Sequence, residues 1–184
     1  MTKTTSPQPP LRLNPVHSLT TTAMAIAIGT VLAIMSKQLF GNLPLRVDLS
    51  VWTVLLVSLL FGFPHGAVAY MLIDILSSIF FYPPFLPITL CKLVTGLAFD
   101  LFLPKVRRHP AKCFLLFLIN GIVIDCIAMA HALYFLQGGS ISALLLLRVG
   151  SAVTNICMFL FFVYVLYPKL EAPLHHLFRR KTNG

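Results

Sequence analysis

Apolar residues run in blocks of about twenty along most of this chain, broken by short polar or proline- and glycine-bearing punctuation. That pattern predicts membrane helices. Met1–Asn14 is polar and proline-rich and reads as a flexible arm. Pro15–Phe40 is the first predicted span, with Ser18, Thr20, Thr21 and Thr22 at its start. It is too long for a signal peptide, has no clean small-residue cleavage site, and further spans follow it. Val47–Phe61 is a short second span and His65–Phe81 a third, joined through Gly62, Phe63 and Pro64. Leu86–Leu103 is the fourth, closed by Pro104. Cys113–Leu136 and Ile141–Tyr167 are the fifth and sixth, with Gly138, Gly139 and Ser140 turning the chain between them. A β-barrel would need sustained alternation, and the chain has none. The expected fold is an all-α bundle of six transmembrane helices over residues 15–168, with an arm at 1–14 and a basic tail at 169–184.

Composition sharpens this picture. Of 184 residues, 58% are hydrophobic and only 10% are charged, far from the balance of a soluble domain. The net charge of +9 would suit nucleic acid, but no aromatic residues interleave with a basic stripe. Instead the basic residues flank spans. Lys105, Arg107, Arg108 and Lys112 share one loop, and Lys169, Arg179, Arg180 and Lys181 follow the last span. With Lys3 and Arg12 at the start, this bias places both termini in the cytoplasm and leaves Lys37 and Arg46 outside.

Charges inside the spans carry the candidate chemistry. Asp74, Lys92, Asp125 and Arg148 each interrupt an apolar run, and ionisable residues there are costly and usually functional. At about 1.5 Å of rise per residue, Lys92 falls roughly 9 Å and Arg148 roughly 11 Å below the outer surface. Asp125 falls in the outer half of its span and Asp74 near mid-membrane. Such a set reads as an outward-facing polar pocket. The bland alternative is a pair of interhelical ion pairs, Asp125 with Arg148 and Asp74 with Lys92.

Aromatic residues fall at the same level: Trp52, Phe81, Tyr82, Phe85, Tyr134 and Phe135. Singly they suit an interfacial belt; beside the charges they suggest a stacking site for a planar polar molecule. Ala23 and Ala27, like Ala25 and Gly29, are four apart and offer faces for close helix approach. Cys91, Cys113, Cys126 and Cys157 are scattered without C-x-x-C spacing, and the six histidines form no ligand set, so no metal or cofactor is expected. The chain has no G-x-x-x-x-G-K-S/T, no G-x-S-x-G and no H-E-x-x-H, which predicts neither ATP hydrolysis nor any catalytic residue in the chain.

The run Leu60-Phe61-Gly62-Phe63-Pro64-His65-Gly66 followed by Asp74 resembles the L-x-G-P-x-x-G…D arrangement of the S components of energy-coupling factor transporters. Six spans, internal termini and the Ala23/Ala27 pair resemble that family too. Phe81-Tyr82-Pro83-Pro84-Phe85 leading to Gly96 is similar to its folate-specific branch, departing from it at Pro84, where Gly is usual, and Leu86, where Thr is usual. The resemblance implies a substrate-capturing membrane subunit of a vitamin importer in a prokaryotic plasma membrane. Its implied partners are a transmembrane coupling subunit, docked through Ala23 and Ala27, and two ATPase subunits. It also implies a vitamin, folate first, held by Arg46, Trp52, Asp74, Phe81, Tyr82, Phe85, Lys92, Asp125 and Arg148. The alternatives are another vitamin such as pantothenate, a small channel or stand-alone carrier, or a structural membrane protein of the MreD type.

Overall fold

The computed structural model describes residues 15–40, 47–81, 85–138 and 140–171, and these form helices without any strand. Helix α1 runs Pro15–Phe40, α2 Val51–Leu60, α3 His65–Ser78 and α4 Leu86–Val106. Helix α5, Pro110–Asn120, passes without a break into a π-helical segment, Gly121–Ala128, and then into α6, Met129–Gln137. Helix α7, Ile141–Phe161, continues through a second π-helical stretch, Phe162–Leu166. Pro15 and Pro110 are the first residues of α1 and α5, positions where a missing N–H breaks no helical bond.

Among the described residues, four helices are long and apolar enough to cross a membrane: Ser18–Leu39, Leu86–Val106, Pro110–Leu136 and Ile141–Glu171. The molecule is a multi-pass membrane protein by this measure. The expected second and third spans form shorter helices than their apolar blocks suggest. With 10 residues in α2 and 14 in α3, they reach about 15 Å and 21 Å, against roughly 30 Å of hydrocarbon. They pack as a hairpin against both α1 and α4.

Around an apolar core, the outer surface is far more apolar than that of a protein in water. Large apolar residues such as Ile28 and Val31 on α1, Val94 and Phe102 on α4, and Val149 and Val153 on α7 face outward. Ser50, Ser58, Asp74, Ser77, Thr89, Thr95, Asp100 and Asn120 are buried. In lipid, apolar side chains lose nothing by facing out, while polar groups need partners within the bundle. An edge-to-face trio, Phe99, Phe117 and Phe159, ties α4, α5 and α7 together, with ring centroids 5.2–5.7 Å apart.

The glycine-rich motif has a structural task. Gly62 turns the chain between α2 and α3 with φ +68, a conformation open chiefly to glycine. The bare Cα of Gly66 lets the Asp100 carboxylate reach the start of α3. There its two oxygens accept the N–H groups of Gly66 (3.2 Å) and Ala67 (2.9 Å). Gly96 allows α4 to meet the α3 backbone, because a Cβ there would lie 2.6 Å from Ala67 Cα. The two small-residue faces of α1 also separate. Gly29 is buried against Ile73 and Thr53, seating α1 on the hairpin, whereas Ala23 and Ala27 are exposed.

Candidate binding site

A cavity of about 260 Å³ opens among the end of α1, the starts of α2 and α4, the end of α3, the π-helical segment and α7. Asp74, Lys92, Asp125 and Arg148, the four charges that interrupt apolar runs, all line it. The chain has five acidic residues in all, Asp48, Asp74, Asp100, Asp125 and Glu171. Three of them line this one cavity, opposite Lys37, Lys92 and Arg148. Such a concentration marks the cavity as the polar centre of the bundle.

The ion pairs differ from the expected ones. Lys92 pairs with Asp48, a residue just ahead of α2, and donates a second hydrogen bond to the Tyr70 hydroxyl at 2.8 Å. Tyr70 donates in turn to Asp48 Oδ2 at 3.3 Å, and Ser50 holds the other Asp48 oxygen through its N–H (3.1 Å) and hydroxyl (2.5 Å). Burial pushes the Asp48 carboxyl up, but the Lys92 ammonium and the Ser50 bonds outweigh it and hold the group below the usual carboxylate range.

Asp74, expected opposite Lys92, accepts instead from the Thr89 hydroxyl at 2.9 Å. Lys37 donates to Ser77 Oγ at 3.0 Å, and its ammonium lies 5.6 Å from the centre of the Phe81 ring at the cavity's exposed edge. On the opposite wall Asn155 Nδ2 donates to Asp125 at a long 3.4 Å, and Arg148 reaches the same space. Asp125 sits on the π-helical segment; such segments recur at functional sites because they re-aim side chains.

Of the expected aromatic residues, Phe81 lines the cavity. Trp52 does not; it packs at a tilt on Phe162, with centroids 6.2 Å apart. Phe85 is not among the lining residues either, and its carbonyl accepts the first N–H bonds of α4. Tyr134 and Phe135 pair with each other away from the cavity. Arg46 and Tyr82 lie outside the described residues.

Many lining residues escape sequence reasoning, among them Asp48, Tyr70, Asn120, Asn155 and Phe159. Asp48 stands at the edge of the expected second span and ahead of the helix that forms there, and Tyr70 is unremarkable in an apolar helix. Asn120 did leave a signal, a lone carboxamide inside an apolar run. It is only 4% exposed, and neither Oδ1 nor Nδ2 has a hydrogen-bond partner among the described residues. Leaving such a group unpaired costs about 1–3 kcal/mol, so its presence calls for a reason.

What this arrangement can do is bind. It offers donors, acceptors, both charge signs and the rings of Tyr70, Phe81 and Phe159 in one enclosure. No cluster of metal-ligating side chains occurs among the described residues. Compared with known proteins, the sequence matches no family model, and no curated protein matches it.

Proposed function

We propose that this protein captures a small polar vitamin from outside the cell, as the S component of an energy-coupling factor importer. The observation that carries the reading is the charged cavity itself, enclosed by helices whose outer faces are apolar. In this reading α2 and α3 complete a six-span bundle with both termini in the cytoplasm. The cavity, set where α1 ends and α4 and α7 begin, then opens outward. The exposed Ala23/Ala27 face of α1 docks on a coupling subunit, and two ATPase subunits supply the energy. The chain itself hydrolyses nothing.

The ligand favoured is a folate-like molecule, a planar ring with an anionic tail. Asp125 accepts from ring N–H groups, and Phe159 and Tyr70 wall the ring. Arg148 and Lys37 face the tail. Lys92, already matched by Asp48, orders the pocket more than it meets the anion. About 260 Å³ lies just below the usual ligand-site range of roughly 300–1,000 Å³. A bicyclic ring is therefore enclosed and its tail extends past Phe81. Pantothenate is the second candidate. The Lys92–Asp48 pair is the observation that favours an MreD-type structural protein, because matched charges also serve simply to tie helices together.

Calorimetry on the purified chain tests this directly, with folate and pantothenate as titrants. Saturable folate binding, and ATP-dependent uptake only after coupling and ATPase subunits are added, is the expected result. Binding of neither vitamin, nor of any other, removes the capture function. Thiol labelling at Arg108→Cys and Ser140→Cys should report opposite sides of the membrane; labelling of both from outside defeats the topology.

A further inference from the structure

The tip of the α2–α3 hairpin stops short of the helices packed on it, and two separate contacts measure by how much. Asp100 on α4 holds the first N–H groups of α3, so it lies level with the turn. Helix α4 continues six residues past it to Val106, about 9 Å of rise. On the other side Gly29 of α1 packs against Ile73 of α3. Helix α3 begins eight residues before Ile73, and eight residues before Gly29 stands Thr21. Helix α1 starts six residues earlier still, at Pro15, which again gives about 9 Å. Both neighbours therefore overhang the turn by the same length.

The pattern of exposure agrees. Gly96 and Asp100 are buried on the face of α4 that meets α3, whereas Pro104, one turn further along that face, is exposed. Thr22 is buried at the level of the turn, and Leu19 and Val16 beyond it are exposed. At the tip Phe63 is 59% exposed, and neither its N–H nor its C=O has a hydrogen-bond partner among the described residues. The N–H four residues on, at Ala67, is held by Asp100 instead.

Lys105 and Arg108, exposed at the end of α4, mark where the hydrocarbon stops. The turn lies about 9 Å inside that level. Lipid tails cannot satisfy a bare backbone N–H and C=O, and neither can the apolar face of a partner helix. Water can, and the headgroup phosphates that come with it find cations in Lys105 and Arg108 at the mouth of the cleft.

We propose that the cleft beneath the α2–α3 turn is a hydrated recess, filled by phospholipid headgroups and their water drawn inward between the start of α1 and the end of α4. The short hairpin thins the bilayer locally there. Lys92, eight residues before Asp100, then stands about 12 Å from this water along α4. The recess is at the opposite end of the bundle from the cavity, and it stands whether or not the chain captures a vitamin.

The experiment places the full chain in nanodiscs of phosphatidylcholine and phosphatidylglycerol, where one reagent reaches both faces and sidedness does not enter. Phe63→Cys, Phe102→Cys and Arg108→Cys are labelled with a charged, membrane-impermeant maleimide, with wild type as the blank for native thiols. Phe102 is exposed on α4 and lies two residues nearer the mouth than Asp100. A thiol must ionise to react, and charge in hydrocarbon is costly, so Phe102→Cys should label about 100-fold more slowly than Arg108→Cys. Phe63→Cys, although deeper, should approach the Arg108→Cys rate. In wild type the Phe63 amide should exchange with deuterium as fast as an unstructured one.

Slow labelling of Phe63→Cys with a protected Phe63 amide puts the turn under hydrocarbon and overturns the proposal. Fast labelling of both Phe63→Cys and Phe102→Cys means that the boundary is low all round the bundle, which overturns a local recess. Labelling of Phe63→Cys that is fast only in discs holding a single chain assigns the cleft to a second copy and overturns the headgroup occupant. The exchange measurement needs no variant, so a Phe63→Cys chain that fails to fold leaves the test in force.

Discussion

Two carboxylates in this bundle, the buried Asp100 and the half-buried Asp125, look alike in the sequence and differ in what surrounds them. Each is an acid inside a long apolar helix. Asp100 has both oxygens occupied by backbone N–H groups of α3 at 2.9 Å and 3.2 Å, through a gap that Gly66 leaves open. Asp125 takes a long bond from Asn155 and lines a cavity that it shares with Lys92 and Arg148. The protein saturates the first and leaves the second unfinished. A buried charge therefore says little about function until its lone pairs are accounted for.

The contrast can be broken most forcefully at Asp100. Asp100→Ala strands two buried N–H groups at the start of α3 and should cost about 4 kcal/mol of stability. Whatever folded protein remains should bind ligand with unchanged affinity. Thermal unfolding in detergent together with calorimetry checks this, and a variant that keeps its stability but loses binding would reverse the assignment.

Lys92→Ala comes next, at about 3 kcal/mol, because it leaves Asp48 without its cation. The Asp48 side chain is 27% exposed, which places the cost at the low end of what a buried pair shows. The same pair sets an acid limit. Asp48 is held below its usual range when folded, so its stabilisation is complete above about pH 4 and drains away as pH falls through the lowered folded value. Melting temperature should be flat from pH 7 to about 5 and fall below about 4, and Asp48→Asn should flatten that acid limb. An unchanged acid limb in Asp48→Asn would assign it to other carboxylates.

Asp125→Ala should act the other way, costing about 2 kcal/mol in ligand affinity and under 1 kcal/mol in stability. If unfolding is instead the dominant effect, Asp125 belongs with Asp100 as a structural group. The smallest stability effects belong to α1. Ala23→Trp and Ala27→Trp point outward and should change stability by no more than about 0.5 kcal/mol while blocking a close partner helix. Binding should survive and coupled transport fail; transport that persists in both variants refutes docking on this face.

Much of this was legible in the sequence, and the limits are physical. Hydropathy located the long helices, and the cost of charge in lipid marked Asp74, Lys92, Asp125 and Arg148 as a set that the cavity brings together. Partner choice was not legible. Lys92 bonds to Asp48, 44 residues away at the edge of the block 47–61 and just ahead of α2, and Asp74 settles on Thr89, whose hydroxyl gave no warning. Nor did helix length follow block length. The apolar blocks 47–61 and 65–81 spend residues on the connections at either end, which leaves α2 and α3 short. The Gly62–Gly66 motif drew attention as a family-like signature, yet in the structure it builds the α2–α3 turn and admits Asp100.

The π-helical segment has a consequence for how this pocket tolerates insertion and deletion. In an ideal α-helix, residues 120 and 125 would stand about 140° apart around the axis, on nearly opposite flanks. Underwinding between Gly121 and Ala128, where the wider turn takes in an extra residue, alters the helix's phase, and both residues line the same cavity. Removing a single apolar residue there would leave hydropathy and span length almost untouched, and the chain would still insert. The lost residue would nonetheless restore the α-helical phase and rotate everything beyond it by roughly 100°. The pocket's chemistry is thus encoded partly in a residue count, which no substitution at a lining position reproduces.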